Sequence, residues 1–181
     1  MTKHCFFLLL LMVPSFAFAQ DKDKPAPEPL DGPKAIFHDA LLDNLQGRWK
    51  VTGTIMRKPR ELELTAEWVL NHQFLQVRQR DTKTVEGKPV YEVLIFIGYD
   101  NASDRYVLHW IDIYGGRFSE TLGYGQREGN SIKFNFEYPD GPFHNTFTWN
   151  PEGKSWSFLL EQKDAAGKWK NFADQTATRM Q

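Results

Sequence analysis

The 181-residue sequence predicts an all-β chain, a single antiparallel up-and-down β-barrel of about ten strands with a short N-terminal helix covering one end. Alternating apolar and polar residues recur with the period of two that a half-buried strand requires. Clusters of Gly, Asn, Asp and Pro interrupt that alternation at short intervals, as hairpin turns do. No later segment carries a long helical pattern, so parallel strands joined by crossover helices are not expected. Closing the meander into a barrel removes its exposed edges, and a two-layer sandwich is the alternative.

The chain opens "MTKHCFFLLLLMVPSFAFAQ". Lys3, an apolar run from Cys5 to Phe16 and small residues at Ala17 and Ala19 give residues 1–19 the layout of a secretory signal peptide. That run is shorter than the roughly 20 residues a membrane helix needs, so no stable membrane span is expected after cleavage. Cys5 precedes most of the run, whereas a lipid-attachment cysteine would follow it. The expected address is the periplasm or the extracellular space. Residues 20–34, "QDKDKPAPEPLDGPK", are rich in proline and charge and read as a disordered tether. Residues 35–181 are then one domain's worth of folded chain.

Without Cys5 the mature chain has no cysteine, which excludes thiol catalysis, cysteine-ligated zinc and iron–sulfur clusters. Stability must come from a packed core. Loss of Lys3 takes the formal charge from −1 to −2, and no basic block is present, so nucleic acid is not an expected partner.

Ile36, Leu41, Leu42 and Leu45 recur at helical spacing and Gly47 supplies a stop, predicting a helix over about residues 35–45. Beyond it, acids on one face put Trp49, Val51 and Ile55 inside on the first strand. Leu62, Leu64, Trp68 and Leu70 follow on the second. Ile132, Phe134, Phe136 and Tyr138 share a face of "SIKFNFEY", as Trp156, Phe158 and Leu160 do in "SWSFLLEQ". Turns are expected at "EGKP", "YDNASD", "YGG", "REGN", "PDGP", "NPEGK" and "DAAGK". Side chains this large either fill a small barrel or wall an apolar pocket.

The mature histidines, His38, His72, His109 and His144, are scattered without paired spacing, so no metal site is expected. In "YVLHWIDIY", Trp110 and Asp112 share one face while His109 takes the other, which makes His109 a structural residue. An inward Asp112 among aromatics needs a partner, and it is the candidate catalytic carboxylate. The same counting of faces adds Trp68, Trp110, Glu120, Phe134, Phe136, Phe158, Gln162 and Gln175 as pocket candidates. Glu120 is there expected to share a face with Phe118, Leu122 and Tyr124. An apolar pocket with a few polar fixers suits a small apolar or amphipathic molecule. The alternatives are an enzyme of unknown reaction built on Asp112, and an interaction module presenting Tyr114, Trp149 or Trp169.

"LQGRW" and the closing "NFADQTATRMQ" resemble the lipocalins and their calycin relatives, where a Gly-x-Trp on the first strand meets an arginine from the last. The resemblance implies that Gly47, Trp49 and Arg179 are closure residues rather than chemistry. "LLDNLQGRWKVTG", "AEWVLNHQFLQVRQRD" and "GYDNASDRYVLHWID" are similar to a bacterial calycin-like family of unknown function, the one numbered 1579. That similarity implies a barrel and carries no agreed activity. A more distant resemblance, to nitrobindin-type barrels, would imply haem held by a histidine on a late strand. The last histidine here is His144, and its neighbours Phe143, Asn145, Phe147 and Trp149 occupy the other face. If that aromatic face is internal, His144 points outward and haem is not expected as a cofactor.

Overall fold

In the computed structural model the described residues are 36–180. They belong to one unit, spanning 35–181. The expected signal peptide and tether lie outside the described residues.

Ten antiparallel strands close into a barrel in the order β1-β12-β11-β10-β9-β8-β7-β6-β3-β2. They are β1 (Gly47–Ile55), β2 (Lys58–Val69), β3 (Phe74–Asp81), β6 (Glu92–Asp100), β7 (Arg105–Asp112), β8 (Leu122–Glu128), β9 (Ser131–Tyr138), β10 (Gly141–Asn150), β11 (Ser155–Lys163) and β12 (Trp169–Arg179). A small hairpin of β4 (Thr84–Val85) and β5 (Lys88–Pro89) stands apart from the barrel sheet. Each pairing in the barrel but one joins sequence neighbours or spans that hairpin. The exception is the seam, where β1 meets β12 with Trp49 opposite Arg179 and Gly53 opposite Gln175.

The helix is a single turn, α1 (Ala40–Asp43), rather than the longer element expected from residue 35. Asp39 starts it late. Its carboxylate accepts the Leu41 and Leu42 N–H groups at 2.8 and 2.9 Å, which satisfies two of the turn's free donors. Tyr106 donates to the other oxygen and Arg127 lies 3.5 Å away, so the buried cap is anchored to the barrel wall. Leu41, Leu42 and Leu45 then plug the end.

The plug and the seam meet at Trp49, which is fully buried. Its indole donates to the Leu45 carbonyl at 2.7 Å, and the Arg179 guanidinium covers the ring at 4.4 Å. Arg179 in turn donates to the Gln46 and Asn44 carbonyls at 2.9 and 3.0 Å. The two glycines of "GRWKVTG" make this possible. A Cβ on Gly47 would stand 2.8 Å from Arg179 Nη1, and one on Gly53 would stand 2.1 Å from the Asp174 carbonyl oxygen. Both have positive φ, +111 for Gly47 and +152 for Gly53, a region that side chains disfavour.

Inside, Trp49, Trp156, Phe134, Phe136, Phe147 and Phe158 are among the largest fully buried side chains and form one core. Trp149, considered above as an exposed aromatic, instead packs inside between Trp49 and Trp156, at ring distances of 6.4 and 5.5 Å. Leu70 also departs from expectation and is 68% exposed. The chain leaves β2 there through a turn in which Leu70, Asn71 and His72 all have positive φ, which ends the alternation.

Gly53→Ala places a methyl group against the backbone of β12, and the seam is expected to lose at least about 2 kcal/mol of stability. Urea unfolding measures it; a transition midpoint within error of the parent sinks the seam argument.

Candidate functional site

The barrel has two unlike ends. At the helix end, the Trp68 indole donates to Asp43 at 2.9 Å and stacks on His72 with ring centroids 4.0 Å apart. Phe37 packs edge-on against Trp68 at 5.6 Å. Trp68 therefore belongs to the plugged end, away from the opposite mouth.

That mouth is built from the far ends of β6, β7, β9, β10 and β12. Trp110 and Asp112 both lie on the inward face of β7, as their alternation predicts. Around them stand the partly buried Tyr91, Tyr138, Phe143 and Phe172, all packed against the core. Tyr138 stacks on Phe136 at 5.3 Å, Phe143 meets Tyr138 edge-on at 6.0 Å, and Phe172 meets Phe143 at 5.4 Å. Tyr114, which is 67% exposed, lies 6.2 Å from Tyr91 at the rim.

Asp112 lies at the end of β7 beside Tyr91, Trp110 and Tyr114. Its Oδ1 accepts the Tyr114 N–H at 2.9 Å and so fixes the turn that follows β7. Its Oδ2 accepts from the Trp110 indole at 3.2 Å and from the Tyr91 hydroxyl at 3.4 Å. Burial, and then the Asp112 charge, raise the Tyr91 phenol far above its ordinary value. The same two causes push Tyr138 up to about 12. Both hydroxyls therefore stay protonated at neutral pH, and that of Tyr91 donates to Asp112.

Below the mouth the lumen is aromatic and packed. Phe134, Phe136 and Phe158 are core filling rather than pocket walls, each at most 1% exposed. Inward polar groups interrupt the lumen, Gln79 and Asp81 of β3 among them. Asn145 and Gln175 are 1% and 4% exposed, and Asn145 Oδ1 and Gln175 Nε2 have no protein hydrogen-bond partner.

Two pocket candidates are exposed. Glu120 follows the short helix α2 (Gly116–Ser119), which interrupts strand alternation before β8 begins. The inward face of β8 is Gly123 and Gly125, so the face bearing Leu122 and Tyr124 is the outer one. The glycines are small because the Phe136 and Phe134 rings lie against them; a Cβ would stand 2.4 and 2.9 Å from those rings. Gln162 lies near the end of β11 opposite Phe143, beside a register shift that skips Phe172 of β12, and it is exposed there.

Tyr91, Phe143 and Phe172 were not singled out from sequence. Tyr91 precedes β6 directly and carries no strand alternation of its own. Phe143 was placed on its face by counting, but nothing in the sequence brings that face to Trp110.

The histidines stand elsewhere. His109 lies on the outer face, 2.6 Å from the Ser119 carbonyl through Nε2. His144 is also on the outer wall, stacked on Trp169 with ring centroids 3.6 Å apart. Burial, together with Lys133 and Lys163, lowers its pKa. Among the described residues no three His, Cys, Asp or Glu side chains converge as a metal site would require, and no helix is long and apolar enough to cross a membrane. A cleft of about 340 Å³ lies on the outer wall between Arg105, Tyr124, Lys133 and Asn135. Another of about 350 Å³ adjoins Phe37, Asp39 and Tyr106 at the plugged end.

Because its folded pKa is raised, Tyr138 contributes stability that is whole below the ordinary tyrosine value of 10.0 and is lost as pH climbs toward about 12. Replacing Asp112 by Asn removes one of the two causes. Tyrosinate absorbance is expected to develop at lower pH in that variant, with a shallower loss of stability between about pH 10 and 12. Superimposable titrations of the two proteins contradict the placement of the charge.

Comparison with known proteins follows the fold. The crystal structure of Rv2717c from M. tuberculosis has a TM-score of 0.51 and 15% identity, covering 77% of this chain and 95% of that one. A redesigned β-barrel, b11L5F_LGL, has a TM-score of 0.39 and 12% identity, covering 81% of this chain and all of that one. No curated protein matches. Residues 37–179 match the family described as "Protein of unknown function (DUF1579)", and the chain belongs to that family.

Proposed function

We propose that the protein is a binding barrel that holds a small, mostly apolar molecule at the mouth opposite α1, and that it does so outside the cytoplasm. The observation that carries this reading is the half-buried aromatic ring of Tyr91, Trp110, Tyr138, Phe143 and Phe172 around a single carboxylate. A mostly apolar concavity with a few fixed polar groups is the usual make-up of a small-molecule site. The packed core beneath confines a ligand to the mouth, where the rings are only partly covered. Export rests on the leader-like residues 1–19 alone.

A catalytic reading built on Asp112 is less well supported. Its carboxylate accepts from Tyr114, Trp110 and Tyr91, and a base engaged three ways is held as a fixed charge.

Mass spectrometry under native conditions is expected to show a co-purifying small molecule. In an NMR titration with 1-octanol, amide shifts should cluster at Trp110, Asp112, Tyr138 and Phe143. Shifts confined to Arg105, Tyr124 and Lys133 would relocate the site to the outer wall.

A further inference from the structure

We propose that the ligand of this mouth is an organic cation, an amine or quaternary ammonium group on an apolar body, with its charge set against Asp112. This deepens the binding reading above and rests on it.

The two acids buried in the described residues are each neutralised by an arginine. Asp81, 5% exposed, has Arg60 at 3.2 Å. Asp39, 7% exposed, has Arg127 at 3.5 Å. Glu92 lies between Arg78 and Arg80. Asp112 breaks the pattern. Among the described residues no Lys, Arg or His reaches it within ion-pair distance, and its three donors are all neutral. Arg60 is committed to Asp81 and Arg117 to Asp140, at 3.2 and 2.9 Å.

The hydrogen bonds to Asp112 Oδ2, at 3.2 and 3.4 Å, are long, whereas a cationic donor approaches a carboxylate to about 2.7–2.9 Å. That oxygen retains capacity for a stronger partner. The charge is also felt across the mouth, since both Tyr91 and Tyr138 respond to it after their burial. Around it stand the aromatic groups that attract cations through their ring faces, Tyr91, Tyr114, Tyr138 and Trp110. A carboxylate within an aromatic enclosure is the chemistry that recognises alkylammonium groups. An anionic ligand would meet an unneutralised like charge, and a neutral one would leave it without a counter-charge.

The test compares three probes of one chain length, octyltrimethylammonium, 1-octanol and octanoate, by calorimetry on the wild-type protein and on Asp112→Asn. The expected order is the cation about tenfold tighter than the alcohol, with octanoate weakest. Added salt should narrow the gap. In Asp112→Asn, which keeps an oxygen for the Tyr114 N–H, the cation should lose about tenfold more affinity than the alcohol does, so that the preference for the cation disappears. Equal binding of cation and alcohol by the wild type overturns the cation assignment and leaves the binding mouth standing. No binding by any of the three overturns both. If the variant does not fold, the wild-type order and its salt dependence decide alone.

Discussion

The seam between β1 and β12 is the constraint on which the rest depends. In a meander every other strand pair forms locally, through a turn of a few residues, but the first and last strands must find each other across the whole barrel sequence. Residues 49 and 179 are opposite each other in the final register, so a slip of one residue would turn every side chain of a strand to the wrong face. Arg179 resists such a slip because its stack on Trp49 and its bonds to two carbonyls before β1 are available in one register only. Individually these contacts are modest at an exposed arginine, roughly 1 kcal/mol each. Their value lies in selecting the register, and Gly47 and Gly53 leave the space that the register requires.

Closure at the seam determines the difference between the ends. Trp49 binds the Leu45 carbonyl, so the same residue that closes the sheet also holds the plug of α1 against it. The polar connections at that end are short and mutually satisfied, from Asp39 to the α1 N–H groups and from Trp68 to Asp43. At the other end only the single-turn α2 follows β7, its Ser119 carbonyl against the outward His109. There the covering is done by side chains, an array of aromatic rings whose contacts are with one another rather than with backbone. Side chains hop rotamers at a cost far below that of lifting a hydrogen-bonded plug, so this end is the more easily deformed of the two.

The fold was legible because alternation survives wherever a strand has one wet face. "ELELTAEW" and "SIKFNFEY" gave their faces directly, and the structure assigns those faces the same way. Trp110 and Asp112 followed from the same beat. Misreadings arose where an inward position is not apolar or the beat breaks. On β8 the inward residues are glycines, emptied to accept rings from β9, so the more apolar face was the outer one and Glu120 went with it. Gln162 stands opposite Phe143 near the end of β11 and is exposed because of that height rather than its face. Trp68 was placed on the correct face but at an unassigned height, and its partner Asp43 reveals the end it occupies. Counting faces fixes in or out. Position along the axis depends on strand tilt and register, which the pattern does not contain.

The treatment of acids follows from the same geometry. Asp39 and Asp81 can be buried because an arginine on a neighbouring strand or turn reaches them, and the low-dielectric surroundings make that pairing necessary. Asp112 lies at the last residue of β7, where the chain turns into α2, and one of its oxygens is spent on that turn. A glutamine or asparagine could cap the turn equally well without carrying a charge into an aromatic mouth. The second oxygen accepts from the Trp110 indole and the Tyr91 hydroxyl, two neutral donors that leave the charge without a counter-charge, and the charge raises the cost of ionising Tyr91 and Tyr138. A negative charge held by neutral donors, walled by rings and placed at the one end without a plug is better accounted for by something that arrives from solvent than by anything within the barrel.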